Sequence, residues 1–183
     1  MKRAVLLIID MINDGFEGWN GASRTALTRK INQLSLVFRN KDLPVIWVRQ
    51  EFENDLSDAF LEMRAKRIRK YIKGTSGCEL LHELATSPQD EIIVKKRYSA
   101  FFGTELDQTL ARYKPDLLVL AGINTHACIR TTAIDAYQRD WETLLAGECI
   151  DSYNRDWHTS SLEYLDGRVA SVKTNDELEA LLG

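Results

Sequence analysis

Five short apolar runs recur along this chain with helical patterns between them, and that alternation restricts the fold more than any other feature. They are Ala4 to Asp10 (AVLLIID), Pro44 to Val48 (PVIWV), Glu91 to Val94 (EIIV), Asp116 to Gly122 (DLLVLAG) and Thr143 to Gly147 (TLLAG). A weaker sixth lies at Arg168 to Val172 (RVASV). Strands that are apolar almost throughout are buried on both faces, and helices between successive strands supply the cover. The expected fold is therefore α/β, a three-layer, doubly wound sheet of about six mostly parallel strands. Leu27, Ile31, Leu34, Val37 and Phe38 repeat at helical spacing. A charged helix is expected around Leu56 to Ile68, and another over Thr104 to Tyr113, stopped by Lys114-Pro115. Asn154 to Tyr164 and Asn175 to Leu182 read as closing helices. No internal repeat, low-complexity tract or linker interrupts the pattern, so residues 1–183 read as one domain.

Composition excludes several classes of function. The formal net charge is −3, whereas nucleic-acid binders show a basic surplus. The one basic segment (Arg64, Lys66, Arg67, Arg69, Lys70, Lys73) is flanked by acidic residues and reads as a solvated face rather than a polyanion site. The loop Lys73 to Gly77 carries glycines but lacks the Lys-Ser/Thr ending of a phosphate-binding loop. No apolar run approaches the ~20 residues of a membrane span, and Met1-Lys2-Arg3 leads into a strand rather than a signal peptide. Cys78, Cys128 and Cys149 are an odd, widely spaced set, which argues against a disulfide framework and for a reduced, cytoplasmic protein.

In a parallel sheet, ligands bind beyond the carboxyl ends of the strands. Here the first expected strand ends on Asp10, the third on Lys95, and the fourth leads through a polar turn to Cys128. If these strands meet at the centre, a carboxylate, an ammonium and a thiol converge on one crevice. Cys128 sits where a buried strand hands over to a helix with Ile129, Ala133, Ile134 and Tyr137 on one side. It would face the positive end of that helix, a position for a reactive thiolate. The alternative reading is a buried structural cysteine.

The segments AVLLIIDMINDGF, VKKRYSAFFGTEL and LAGINTHACIRTTAIDAY resemble, in order and spacing, the three motifs of the isochorismatase-like cysteine hydrolases. The resemblance covers nearly the whole chain, including GTSGCEL and LLAGECIDSY. It implies a doubly wound α/β sheet and a catalytic triad of Asp10, Lys95 and Cys128. Lys96 is the rival lysine, but the motif places the catalytic one directly after the strand, four residues before Ser99. The resemblance further implies an oxyanion hole from the backbone N–H groups of Asn124 and Cys128, and a cis peptide at Ile123-Asn124. With Lys95 and a helix N-terminus beside it, Cys128 is expected to have a depressed pKa. The implied chemistry is cofactor-free cleavage of a small amide or ureido C–N bond through a thioester.

Some positions depart from the family pattern. Many members have Gln where this chain has Ile12, and nicotinamidase-type members bind a metal through histidines after the second strand. Here that stretch is Val48-Arg49-Gln50-Glu51-Phe52, so no metal is expected. Trp19, Tyr98, Phe101, Phe102 and His126 are candidates to wall the substrate, with core packing or an ordinary loop position as the alternative for each. The expected partners are a small-molecule substrate and further copies of the chain, with neither nucleic acid nor membrane. A homodimer or homotetramer is implied by the resemblance and supported by Trp141 and Trp157 in polar surroundings. Two other functions stay open. One is vinyl ether hydrolysis, as by isochorismatase itself. The other is a redox-sensing thiol protein in which Cys149 resolves Cys128, provided the fifth strand lies beside the fourth.

Overall fold

The computed structural model describes residues 2–183. Six parallel strands form one sheet in the order β3-β2-β1-β4-β5-β6. These are β1 (Ala4–Ile9), β2 (Val45–Gln50), β3 (Glu91–Lys95), β4 (Leu117–Ile123), β5 (Glu142–Asp151) and β6 (Ser171–Lys173). The flanking helices are α1 (Gly21–Asn40), α2 (Leu61–Lys66), α3 (Leu106–Tyr113), α4 (Arg130–Tyr137), α5 (Arg155–Leu165) and α6 (Asn175–Leu182).

Every residue of β1 and β4 is buried, as expected of strands covered on both faces. The pleat divides their side chains between two cores. Leu6, Ile8, Trp47 and Val119 pack with Leu27, Ile31, Leu34 and Phe38 of α1 and Leu178 of α6. Val5, Leu7, Ile9 and Leu118 pack on the opposite face with Leu106 of α3, Ala133 of α4 and Leu165 of α5. The sheet therefore lies between two helical layers. Among the described residues no helix is long and apolar enough to cross a membrane.

Two elements differ from the sequence expectation. The charged helix is confined to Leu61–Lys66. Its surroundings fold instead as an irregular cover around a small satellite core of Phe52, Leu56, Ala59 and Ile72. The fifth strand runs ten residues rather than stopping at Gly147, because its second half pairs with the end of β4 across a register shift. Gly122 sits at that shift with φ +109°, where a Cβ would lie 2.0 Å from the carbonyl oxygen of Ile9. Only glycine lets these two central strands approach so closely.

Candidate active site

The strand order reverses direction between β1 and β4: the chain winds outward through β2 and β3, then returns to the other side of β1. The crevice beyond the carboxyl ends at such a switch point is the usual ligand site of an open α/β sheet. Asp10 immediately follows β1 with φ +55°, a left-handed conformation that aspartate tolerates better than most residues. After β4, a single π-helical turn, Thr125–Ile129, precedes α4 and carries Cys128. The peptide bond Ile123-Asn124 is cis.

Lys95 closes β3, which is separated from β1 by β2, so the two strands are not neighbours as the convergence argument supposed. Its long side chain spans the gap. The ammonium lies 2.8 Å from Asp10 Oδ2 and 3.3 Å from Cys128 Sγ, and Lys95 is fully buried. It also donates to Gln50 Oε1 at 2.8 Å and to the Arg97 carbonyl at 3.2 Å. Asp10 Oδ1 accepts the Gln50 N–H at 2.9 Å. Lys96 instead pairs with Asp58 at 2.9 Å.

Charge in this cluster runs against the expected thiolate. Burial pushes the Cys128 thiol up to about 12, and the Asp10 carboxylate adds to that rise while Lys95 opposes it. The expectation of a depressed pKa counted Lys95 and the helix end but left out desolvation and the facing carboxylate. Burial also disfavours the Lys95 ammonium, yet Asp10 and Cys128 outweigh it and hold Lys95 above its ordinary value. Burial and the facing Asp10 side chain thus disfavour the Cys128 thiolate beside the Asp10–Lys95 contact.

The cavity above Cys128 is about 220 Å³ and is lined by Asp10, Gln50, Phe60, Tyr71, Tyr98 and His126, among others. That is below the ~300–1,000 Å³ of sites for drug-sized ligands, so it suits a small molecule. Tyr98 and His126 are where the sequence reading puts them. Trp19 and Phe101 are not. Trp19 packs on Phe16 with ring centroids 5.0 Å apart and lines a separate depression beside Asn20 and Asp151. Phe101 is buried in the core between the sheet and α3, with the Arg139 guanidinium 4.5 Å from its ring centre. Phe102 is 63% exposed and is absent from the cavity lining. His126 accepts from or donates to Ser152 Oγ at 2.8 Å through Nδ1, and burial lowers its pKa.

Gln50, Phe60 and Tyr71 escaped the sequence reading. Gln50 is the informative one: its Oε1 holds Lys95, while its Nε2 is buried without a hydrogen-bond partner. The available signal was position, since Gln50 ends β2 just as Asp10 and Lys95 mark the ends of their strands.

The residues after β2 do not suit a metal. Glu51 is committed to Arg49 at 3.0 Å, Gln50 Oε1 to Lys95, and the next residue is Phe52. Among the described residues no three His, Cys, Asp or Glu side chains gather as a metal site. Cys149 does lie on the strand beside β4, but its side chain enters the core opposite to that of Cys128 and bonds Asn175 Oδ1 at 3.2 Å. With the sheet between the two thiols, Cys149 is not placed to resolve Cys128.

Comparison with known proteins agrees with this architecture. The isochorismatase domain family model matches residues 4–177. A probable inactive nicotinamidase of Arabidopsis thaliana is 35% identical over 151 residues, 76% of each chain. Among solved structures, an isochorismatase family protein of Desulfovibrio vulgaris superposes with a TM-score of 0.90 at 26% identity, covering 100% of this chain and 99% of the other. N-carbamoylsarcosine amidase of Thermoplasma acidophilum gives a TM-score of 0.81 at 28% identity, covering 97% of this chain and 98% of the other. The chain belongs to the isochorismatase family.

Proposed function

We propose that this protein is a cofactor-free cysteine hydrolase that cleaves a small amide or ureido C–N bond, with Asp10, Lys95 and Cys128 as its triad. The observation that carries the reading is the fully buried Lys95 ammonium held between the Asp10 carboxylate and the Cys128 sulfur, at 2.8 and 3.3 Å. A buried cation is costly unless it is paired, and such buried charge clusters beside a nucleophile in a cleft are found preferentially at functional sites.

The reaction starts from the neutral thiol. Asp10 accepts the Cys128 proton as Sγ attacks the amide carbonyl carbon, and Lys95 stabilises the sulfur as it gains charge. The backbone N–H groups of Asn124 and Cys128 receive the oxyanion. The tetrahedral adduct collapses when Asp10 returns the proton to the departing nitrogen, so the C–N bond breaks and a thioester remains. Water then attacks the thioester, giving one proton to Asp10, and the C–S bond breaks. The carboxylic acid leaves, and Asp10 passes the proton back to Cys128. One water is consumed for each amine and acid released.

Vinyl ether hydrolysis does not require a thiol nucleophile, so the contact of Cys128 with Lys95 favours the amide reading. We further propose a homodimer or homotetramer.

A panel of small amides, ureido acids and isochorismate, assayed for ammonia and pyruvate, tests the activity. The expected result is ammonia release that falls ~10³-fold or more in Cys128→Ala. Pyruvate release from isochorismate that survives Cys128→Ala, without ammonia from any amide, would overturn it.

A further inference from the structure

The cavity above Cys128 is poor in positive charge. The charged side chains in its lining are Asp10 and Glu62, both acidic, and among the described residues no arginine or lysine lines it. Lys95 lies beneath, already shared among Asp10, Gln50, the Arg97 carbonyl and Cys128. An ammonium has only three N–H donors, so nothing is left over for a ligand. Of the cations nearby, Lys66 pairs with the lining residue Glu62 at 2.7 Å and Lys96 with Asp58 at 2.9 Å. The Arg97 guanidinium donates to the carbonyls of Asp58 and Lys96 and stands 5.4 Å from the Phe60 ring centre.

The remaining lining is aromatic and neutral. Phe60 and Tyr98 stack with centroids 4.7 Å apart, and Tyr71 and Tyr153 add two further rings. Burial holds the Tyr71 and Tyr98 hydroxyls protonated and keeps His126 unprotonated at neutral pH. Beside the tyrosine hydroxyls, the buried Gln50 side chain in the lining has its Nε2 without a hydrogen-bond partner. An amide N–H in that position suits a carbonyl oxygen. A carboxylate would lose its hydration here, find no lysine or arginine in the lining, and face the Asp10 carboxylate.

From this lining we infer that the site selects uncharged amides carried on a compact apolar or aromatic group, and discriminates against substrates that bear a carboxylate. The inference rests on the amide-hydrolase reading above and narrows its substrate class.

Matched pairs test it with the purified full chain: benzamide against 4-carbamoylbenzoate, and butyramide against succinamate, each read as kcat/KM for ammonia release. The neutral member of each pair is expected to be favoured tenfold or more, and Glu62→Arg, at an exposed position, should narrow the gap. A carboxylate member turned over as fast as its neutral partner overturns the inference. A second measurement does not depend on turnover. Cys128 alkylation by iodoacetamide and by iodoacetate is followed by mass spectrometry, and the ratio is divided by that for a neutral free thiol, N-acetylcysteine amide. Both reagents react through the same thiolate, so the thiol pKa cancels. A normalised preference of tenfold or more for iodoacetamide supports the inference, and a ratio near one or below overturns it. If no amide is cleaved while the labelling preference holds, the hydrolase reading fails and the charge preference stands.

Discussion

In the proposed mechanism Asp10 acts on Cys128 in two opposed ways. As the group that would take the thiol proton it promotes attack, but as a neighbouring negative charge it raises the thiol pKa. Replacing it separates the two effects. In Asp10→Asn, Lys95 faces the sulfur without competition, so the pKa of Cys128 should fall and iodoacetamide labelling at pH 7 should quicken. Amide turnover should drop ~10²–10⁴-fold in the same protein, because the proton acceptor is gone. Peptide-resolved labelling beside a steady-state assay checks both. Slower labelling in the variant would mean that Asp10 does not hold the thiol neutral. With its pKa raised, the Cys128 sulfur carries little thiolate character at rest, which shields it from oxidants that attack thiolates.

At the level of elements, the strands are legible because β1, β2 and β4 are apolar on both faces, which leaves a continuous run in the sequence. The second half of β5 is hidden because Glu148 interrupts its run, although the backbone continues pairing Ile150 with Gly122 and Asp151 with Ile123. The reactive ends of β1, β3 and β4 are visible as side chains that break an apolar pattern. Gln50 is hidden because Arg49 precedes it and ends the apparent strand early. The cavity walls are least legible: Phe60 and Tyr71 belong to irregular cover with no period, while an aromatic side chain such as Trp19 or Phe101 does not reveal which surface it packs on. Two element-level tests follow from particular contacts. Gly122→Ala places a methyl against the Ile9 backbone at a φ that suits glycine, and should cost at least ~3 kcal/mol in urea unfolding. Asp90, before β3, accepts from Arg39 Nη2 at 2.6 Å and Trp47 Nε1 at 2.7 Å and so ties α1 and β2 to the sheet edge. Burial opposes its charged form, but Arg39, Trp47 and Ser87 prevail and hold its carboxyl below the usual range. Its contribution is therefore present above the unfolded carboxyl value of ~3.9 and is lost as pH falls through the lower folded value. Asp90→Asn should lose ~2–3 kcal/mol at pH 7 and show a shallower fall in stability below pH 4. Equilibrium unfolding across pH measures this, and an unchanged acid slope would remove Asp90 from the account.

On the scale of the whole molecule, part of the exposed aromatic surface lies beside the cavity. Tyr153 is 61% and Trp157 48% exposed, with the Trp157 ring centre 4.9 Å from that of His126 in a tilted arrangement. Trp141, by contrast, is packed against its own core, so of the two tryptophans only Trp157 still calls for a partner. Light scattering at micromolar concentration should give twice or four times the 20.9 kDa subunit mass, and a stable single subunit would overturn the proposed oligomer. The buried Asp10–Lys95 pair has a further consequence, one that concerns descent rather than mechanism. A lineage that no longer needs the reaction cannot discard these residues one at a time without leaving an uncompensated charge in its core, at a cost of ~3–5 kcal/mol. Both can be exchanged together for apolar side chains at little cost. Retired descendants of such a chain should therefore lack the aspartate and the lysine as a couple, while in a chain that carries both, as this one does, stability alone opposes the loss of either one.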